Sequence, residues 1–108
     1  MSDSVHVSLV YGVEVPRGTP AAAFAGNAAV EFVHPRGATY PVVYARDLSD
    51  SLADADVRRA VFNVTAYADR FSAEFYEEKA RYIVDACCTA GLEVTVADCG
   101  WMVVCDVR

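Results

Sequence analysis

Basic residues are scarce in this chain. Nine Lys+Arg stand against fifteen Asp+Glu, only one of the nine is lysine, and the formal net charge is −6. Such a surface repels phosphate, so a grip on nucleic acid would require a local basic patch. The adjacent pair Arg58-Arg59 is flanked by Asp54 and Asp56 and reads as a solvated helix face, so nucleic acid is not an expected partner. Long apolar runs are lacking as well, which excludes a spanning helix and makes a membrane partner unexpected. The opening Met1-Ser2-Asp3-Ser4 has neither the basic nor the apolar stretch of a signal peptide, so the expected location is cytoplasmic. The six glycines are dispersed and form neither Gly-x-Gly-x-x-Gly nor a phosphate loop, which removes the standard nucleotide-binding motifs.

Paired-cysteine spacing is absent too. Zinc and dithiol redox sites use short Cys-x-x-Cys-like separations so that two sulfurs converge. Here Cys87 and Cys88 are adjacent, with Cys99 and Cys105 farther on. Neighbouring helical residues point about 100° apart, so Cys87 and Cys88 cannot chelate together. Cys87 on a core stripe and Cys105 on a core face read as small hydrophobes. Cys99, at an expected hairpin tip beside Gly100, is the thiol expected to be open to alkylation. No metal and no cofactor are expected. His6 falls on the outward phase of the first strand and His34 precedes a Pro-Arg-Gly turn. With no nucleophile elbow or triad near them, they read as solvated or turn-stabilising.

What is present is the composition of an ordinary soluble globule. The 108 residues are 55% hydrophobic and 22% charged, and the length suits one domain over residues 1–108. Residues 5–11 alternate, with Val5, Val7, Leu9 and Tyr11 on one side and His6, Ser8 and Val10 on the other, a strand with one buried face. Pro16, Gly18 and Pro20 make 12–20 a loop, and 21–26 is open between one helical turn and coil.

Residues 28–34 and 39–45 flank the turn Pro35-Arg36-Gly37-Ala38 and predict a hairpin. A four-residue loop sets Phe32 opposite Pro41 and Val30 opposite Val43. One face then carries Ala28, Val30, Phe32, Val43 and Ala45; the other carries Glu31, Val33, Tyr40, Val42 and Tyr44. Pro41 cannot donate to a ladder, so its strand is expected at an edge or with Pro41 turned outward. Ser49, Asp50 and Ser51 are candidate N-caps for a helix from Leu52 to Asn63, and 64–70 is left open.

The next helix, over 73–90, has Ser72 as N-cap, Glu74, Glu77 and Glu78 at its positive end, and Gly91 as terminator. Its apolar stripe is Tyr76, Ala80, Ile83, Ala86/Cys87 and Ala90, and Glu77 pairs with Arg81 on the wet side. Residues 92–97 and 101–107 predict a closing hairpin with an even loop, which places Trp101, Val103, Cys105 and Val107 on the core face. The expected fold is α+β, a two-layer sandwich of about five largely antiparallel strands in the order β-ββ-α(α)-ββ, with helices packed on one face.

The run Val7-Ser8-Leu9-Val10-Tyr11-Gly12-Val13 resembles the first strand and Tyr-Gly turn of small proteins of actinobacterial phages. The resemblance covers seven residues and carries no activity with it.

No motif specifies a reaction. The feature left over is aromatic: Tyr40 and Tyr44 share a strand face with Val33 and Val42, an apolar patch with hydroxyl tips of the kind that marks partner surfaces. Burial of that patch beneath the segment 21–26 is the competing explanation. The expected function is a non-enzymatic interaction module that binds a protein partner, or itself as a homo-oligomer, through Val33, Tyr40, Val42 and Tyr44, as an accessory factor of a phage or mobile element or an inhibitor of host defence would. One alternative is a small-ligand binder or enzyme with a pocket between sheet and helices, using His6, His34 or nearby tyrosines. A second is acidic mimicry of nucleic acid by the ridge Glu74, Glu78 and Asp85, interrupted by Lys79 and Arg81.

Overall fold

The computed structural model describes residues 5–35, 37–51 and 71–107. The expected helix from Leu52 to Asn63 and the open stretch 64–70 lie outside the described residues. Strands β1 (Val5–Glu14), β2 (Val30–Val33), β3 (Val42–Ser51) and β4 (Gly100–Val107) form one antiparallel sheet in the order β2-β3-β1-β4. Helix α1 (Ala73–Thr89) packs on one face of it. The chain is α+β with an antiparallel sheet, and the expected five or so strands are corrected to four, with one α-helix, among the described residues.

The strand expected over 92–97 does not form. The Thr95 N–H and hydroxyl both donate to Asp98 Oδ2 at 2.9 and 3.1 Å, and the Asp98 N–H donates to the Thr95 carbonyl at 3.0 Å. This Thr-x-x-Asp box closes Val96–Asp98 into a 3-10 turn, and such local side-chain bonds compete with a ladder. Freed from a hairpin, β4 instead pairs with β1 from Val5↔Val107 to Gly12↔Gly100. The partner strand is suited to an interior place because it is apolar on both sides. Leu9 and Val10 are 0% and 1% exposed, so the expectation of a single buried face in residues 5–11 fails at Val10.

The first hairpin forms with its register displaced by two. Phe32 lies opposite Val43 and Val30 opposite Ala45, rather than opposite Pro41 and Val43. The face assignment survives because side chains repeat every two residues, so an even slip returns each one to its own side. The strand is not an edge: β3 lies between β2 and β1. Pro41 stands just ahead of the ladder, buried, with its carbonyl accepting from the Val15 N–H at 2.9 Å. Its missing N–H therefore costs the sheet nothing.

β3 also runs farther than expected, and Ser49, Asp50 and Ser51 are strand residues rather than N-caps. Val10 pairs with Ser49 but Gly12 with Tyr44, so the four residues 45–48 face the single Tyr11. This irregularity turns Leu48 into the helix-side core.

α1 follows its sequence signals closely. Ser72 Oγ accepts from the Phe75 N–H at 3.2 Å. At the other end Gly91 adopts φ 83°, its N–H reaching the Cys88 carbonyl at 3.0 Å while the Leu92 N–H reaches that of Cys87 at 2.8 Å. These are the paired bonds of a Schellman cap, and the left-handed residue in it favours glycine. Ile83, Ala86 and Cys87 are buried against Val13, Val15, Val30, Val43 and Ala45 from the sheet, and Ala80 is buried as well. The 3-10 turn Ala21–Phe24 contributes Phe24, which stacks on Phe32 at 5.5 Å.

Candidate functional site

The side of the sheet away from α1 carries a second apolar cluster: Val10, Val42 and Val104 buried, with Val33, Tyr44 and Met102 packed around them. Cross-strand pairing accounts for it. Val33 opposes Val42, and Val10 opposes Met102, and opposed residues share a face. Three of the four expected site residues, Val33, Val42 and Tyr44, thus come together on one surface, joined by β1 and β4 residues that only the tertiary pairing brings in. The segment 21–26, offered as a possible cover for this surface, belongs to the other side through Phe24.

Tyr40 is placed differently from the other three. It sits in the β2–β3 connection, outside the strand expected over 39–45, and is 49% exposed. Beside it a shallow, open concavity of about 350 Å³ is lined by Tyr40, Val42, Met102, Val104 and Cys105 among others. Tyr44, by contrast, is half-buried, and its hydroxyl donates to Glu31 Oε2 at 2.7 Å. Burial, then the bond to the Glu31 carboxylate, pushes this phenol up to about 12, so it stays protonated and engaged. Tyr44 serves as part of the wall, whereas Tyr40 is presented to solvent.

His34 lies at the same end. Its Nε2 is 3.2 Å from the Ala38 carbonyl; a carbonyl only accepts, so Nε2 carries the proton. With the Ala38 N–H donating to the Pro35 carbonyl at 2.9 Å and Gly37 at φ 86°, it ties the connection that carries Tyr40, a turn-stabilising role as expected. His6 lies on β1 opposite Asp106.

On α1, Glu74, Glu78 and Asp85 are exposed along one side, bordering a concavity of about 330 Å³ that also holds Glu77, Arg81 and Tyr82. Arg81 pairs with Glu77 at 2.7 Å, and the Tyr82 hydroxyl donates to Glu78 at 3.1 Å. Lys79 does not interrupt the ridge. It turns toward the sheet to meet Asp47 at 2.8 Å beneath the Phe75 and Tyr82 rings, and the bond to Asp47 raises the ammonium pKa. A cation paired within the ridge breaks the single-sign surface that a stand-in for phosphates would require.

The thiols require two corrections. Cys87 is buried and Cys88 exposed, as their angular separation demands. Cys99, expected at an open hairpin tip, is half-buried against the helix-side core, with Sγ 3.9 Å from the Thr95 carbonyl. Cys105, expected on the core face, is exposed. The Cys99 error follows from the hairpin that does not form, whereas Cys105 lies toward the far end of β4, at the edge of the sheet. Desolvation, with smaller contributions from neighbouring acidic groups, pushes the Cys87 and Cys99 thiols up to about 11. Thiolates are the reactive species. Iodoacetamide at about pH 8 should therefore label Cys88 and Cys105 in the native protein and spare Cys87 and Cys99, which react only in denaturant; peptide mass spectrometry reads the result. Because the raised pKa values belong to the folded state, their contribution to stability is complete below the ordinary thiol pKa of about 9 and is lost as pH rises through about 11.

Tyr11, Tyr76 and Trp101 form an aromatic group under α1, with ring centroids 5.2 to 6.2 Å apart and the Trp101 Nε1–H donating to the Tyr76 hydroxyl at 3.3 Å. Trp101 thus faces the helix, as the even-loop reading places it. Burial is the first cause raising the Tyr11 phenol, followed by Cys99 and Tyr76. This group is packing for the core.

Among the described residues no helix is long and apolar enough to cross a membrane, and no three His, Cys, Asp or Glu side chains converge as a metal site. No family model, curated protein or solved structure matches the chain.

Proposed function

We propose that the chain is a non-catalytic interaction module that docks a protein partner through the sheet face away from α1, with Tyr40 as its aromatic anchor. The observation that carries this reading is the half-exposed Tyr40 ring standing beside a concavity walled by Val42, Met102 and Val104. An aromatic side chain next to a preformed apolar depression is the arrangement from which interface hot spots are built. The buried Val10 and Val42 hold the wall rigid, so little ordering cost falls on binding. The concavities are shallow and open, unlike the enclosed clefts that bury most of a small ligand, and this favours a protein surface over a small molecule.

The test compares wild type with Tyr40→Ala, using Val96→Ala as an exposed control. Sedimentation velocity over a range of concentrations reads self-association, and quantitative mass spectrometry of co-purifying proteins reads other partners. Truncation of a hot-spot aromatic costs about 2 kcal/mol or more, roughly thirtyfold in affinity. That loss in Tyr40→Ala, with melting temperature preserved, supports the proposal. A monomeric wild type that retains no partner, or a partner held equally by Tyr40→Ala, overturns it.

A further inference from the structure

A second concavity, of about 550 Å³, also borders Tyr40 and is lined by Glu14, Tyr40, Glu93, Val94, Asp98 and Met102 among others. Its floor is apolar: Val94 and Met102 are half-buried, and Glu14, Tyr40 and Met102 are shared with the first concavity. Its rim is acidic. Asp98 already accepts from Thr95, whereas Glu14 and Glu93 are exposed and pair with no cation among the described residues. No lysine or arginine lines this depression among the described residues. The two carboxylates come from the end of β1 and from the connection after α1, so the fold gathers them from opposite ends of the chain. Among the described residues, their like charge has no counter-ion.

We infer that the occupant of this groove is a segment of a partner protein in which lysine or arginine side chains flank apolar ones. The inference rests on the interaction reading above and adds the chemistry of the partner. The apolar side chain enters between Tyr40 and Met102, and the cationic ones reach Glu14 and Glu93. Burial of the apolar group supplies affinity, while the carboxylates select the partner and steer its approach, as charges on an interface rim do. A polyanion is repelled by the same rim.

The test is selection of a random peptide library displayed on phage against the intact chain, followed by anisotropy titration of the enriched peptides as synthetic, fluorescein-labelled probes. Variants are Glu14→Lys/Glu93→Lys, Tyr40→Ala and Arg17→Ala, with circular dichroism confirming the fold of each. Arg17 is exposed, follows the lining residue Pro16 and is itself no part of the lining. The expected result is enrichment of peptides rich in lysine or arginine beside apolar residues. Glu14→Lys/Glu93→Lys should weaken their binding about tenfold or more, more so at low than at high salt, and Arg17→Ala should not weaken it. Enriched peptides that depend on Tyr40 but show no basic excess and ignore Glu14 and Glu93 overturn this inference and leave the interaction reading standing. Peptides that bind Tyr40→Ala unchanged, or a failure of any peptide to enrich, overturn both.

Discussion

Replacing Gly12 with alanine is expected to remove about 3 kcal/mol of stability, the upper end of what overpacking costs, whereas the same replacement at Gly100 is expected to be neutral or slightly stabilising. The two glycines face each other across the β1–β4 ladder, yet their surroundings differ. A Cβ on Gly12 would strike the Val43 carbonyl oxygen and come within 2.7 Å of Tyr44 Cα and Cβ. These are atoms of, or rigidly fixed to, the β3 backbone, so relief requires the two central strands to part. At Gly100 nothing among the described residues lies within 4 Å of the added carbon. Alanine there restricts only the unfolded chain, which favours folding by about 0.4–1 kcal/mol where the native conformation is compatible. Thermal unfolding separates the two variants: a loss of about 3 kcal/mol lowers the midpoint of a domain of this size by roughly 10–20 °C. Equal melting temperatures for Gly12→Ala and wild type would show that β1 and β3 are not in close approach there.

A loss of similar size is expected for Ile83→Ala, about 2–5 kcal/mol. Ile83 is 0% exposed and shares its cluster with Val15, Phe24, Val43 and Ala45. Removing its branched side chain forfeits transfer energy and leaves a void between helix and sheet that the rigid β3 cannot close. Val96, 41% exposed in the 3-10 turn, provides the contrast: Val96→Ala should stay within about 0.5 kcal/mol of wild type. Urea unfolding reads both. Because the stability of a typical small protein is only about 5–15 kcal/mol, Ile83→Ala approaches the limit of a folded chain. An Ile83→Ala loss no larger than that of Val96→Ala would mean that α1 does not bury its stripe on this sheet.

The two halves of the molecule were legible to different degrees. α1 could be read almost completely, from Ser72 through the buried Ala80, Ile83 and Cys87 to Gly91 and Leu92. Caps and helical periodicity are interactions within a few residues, so the information lies next to where it acts. The faces of β2 and β3 were legible for a related reason: alternation survives any even slip, and the slip here was two residues. The Thr-x-x-Asp box at 95–98 was equally local and could have been recognised, which would have removed the second hairpin and corrected Cys99. The continuous apolar character of Leu9-Val10, opposite in phase yet both buried, was the available sign that β1 belongs in the sheet interior.

The candidate site was legible only in part. Val33, Val42 and Tyr44 could be grouped because they lie in one hairpin. Met102 and Val104 join them through the pairing of β4 with β1, and Glu14, Glu93 and Asp98 reach Tyr40 only after the connection following α1 has turned back. Alone, then, the sequence determined the helix with its ends, the two faces of the first hairpin, and which neighbouring thiol is buried; these depend on contacts within a turn or on a repeat of two. Tertiary structure decided which strands are neighbours, and with that the place of Tyr40 between an apolar floor and an acidic rim. Pairing partners compete through nearly equivalent backbone hydrogen bonds, and the choice among them is made by burial summed over the whole sheet, a quantity that no short segment contains.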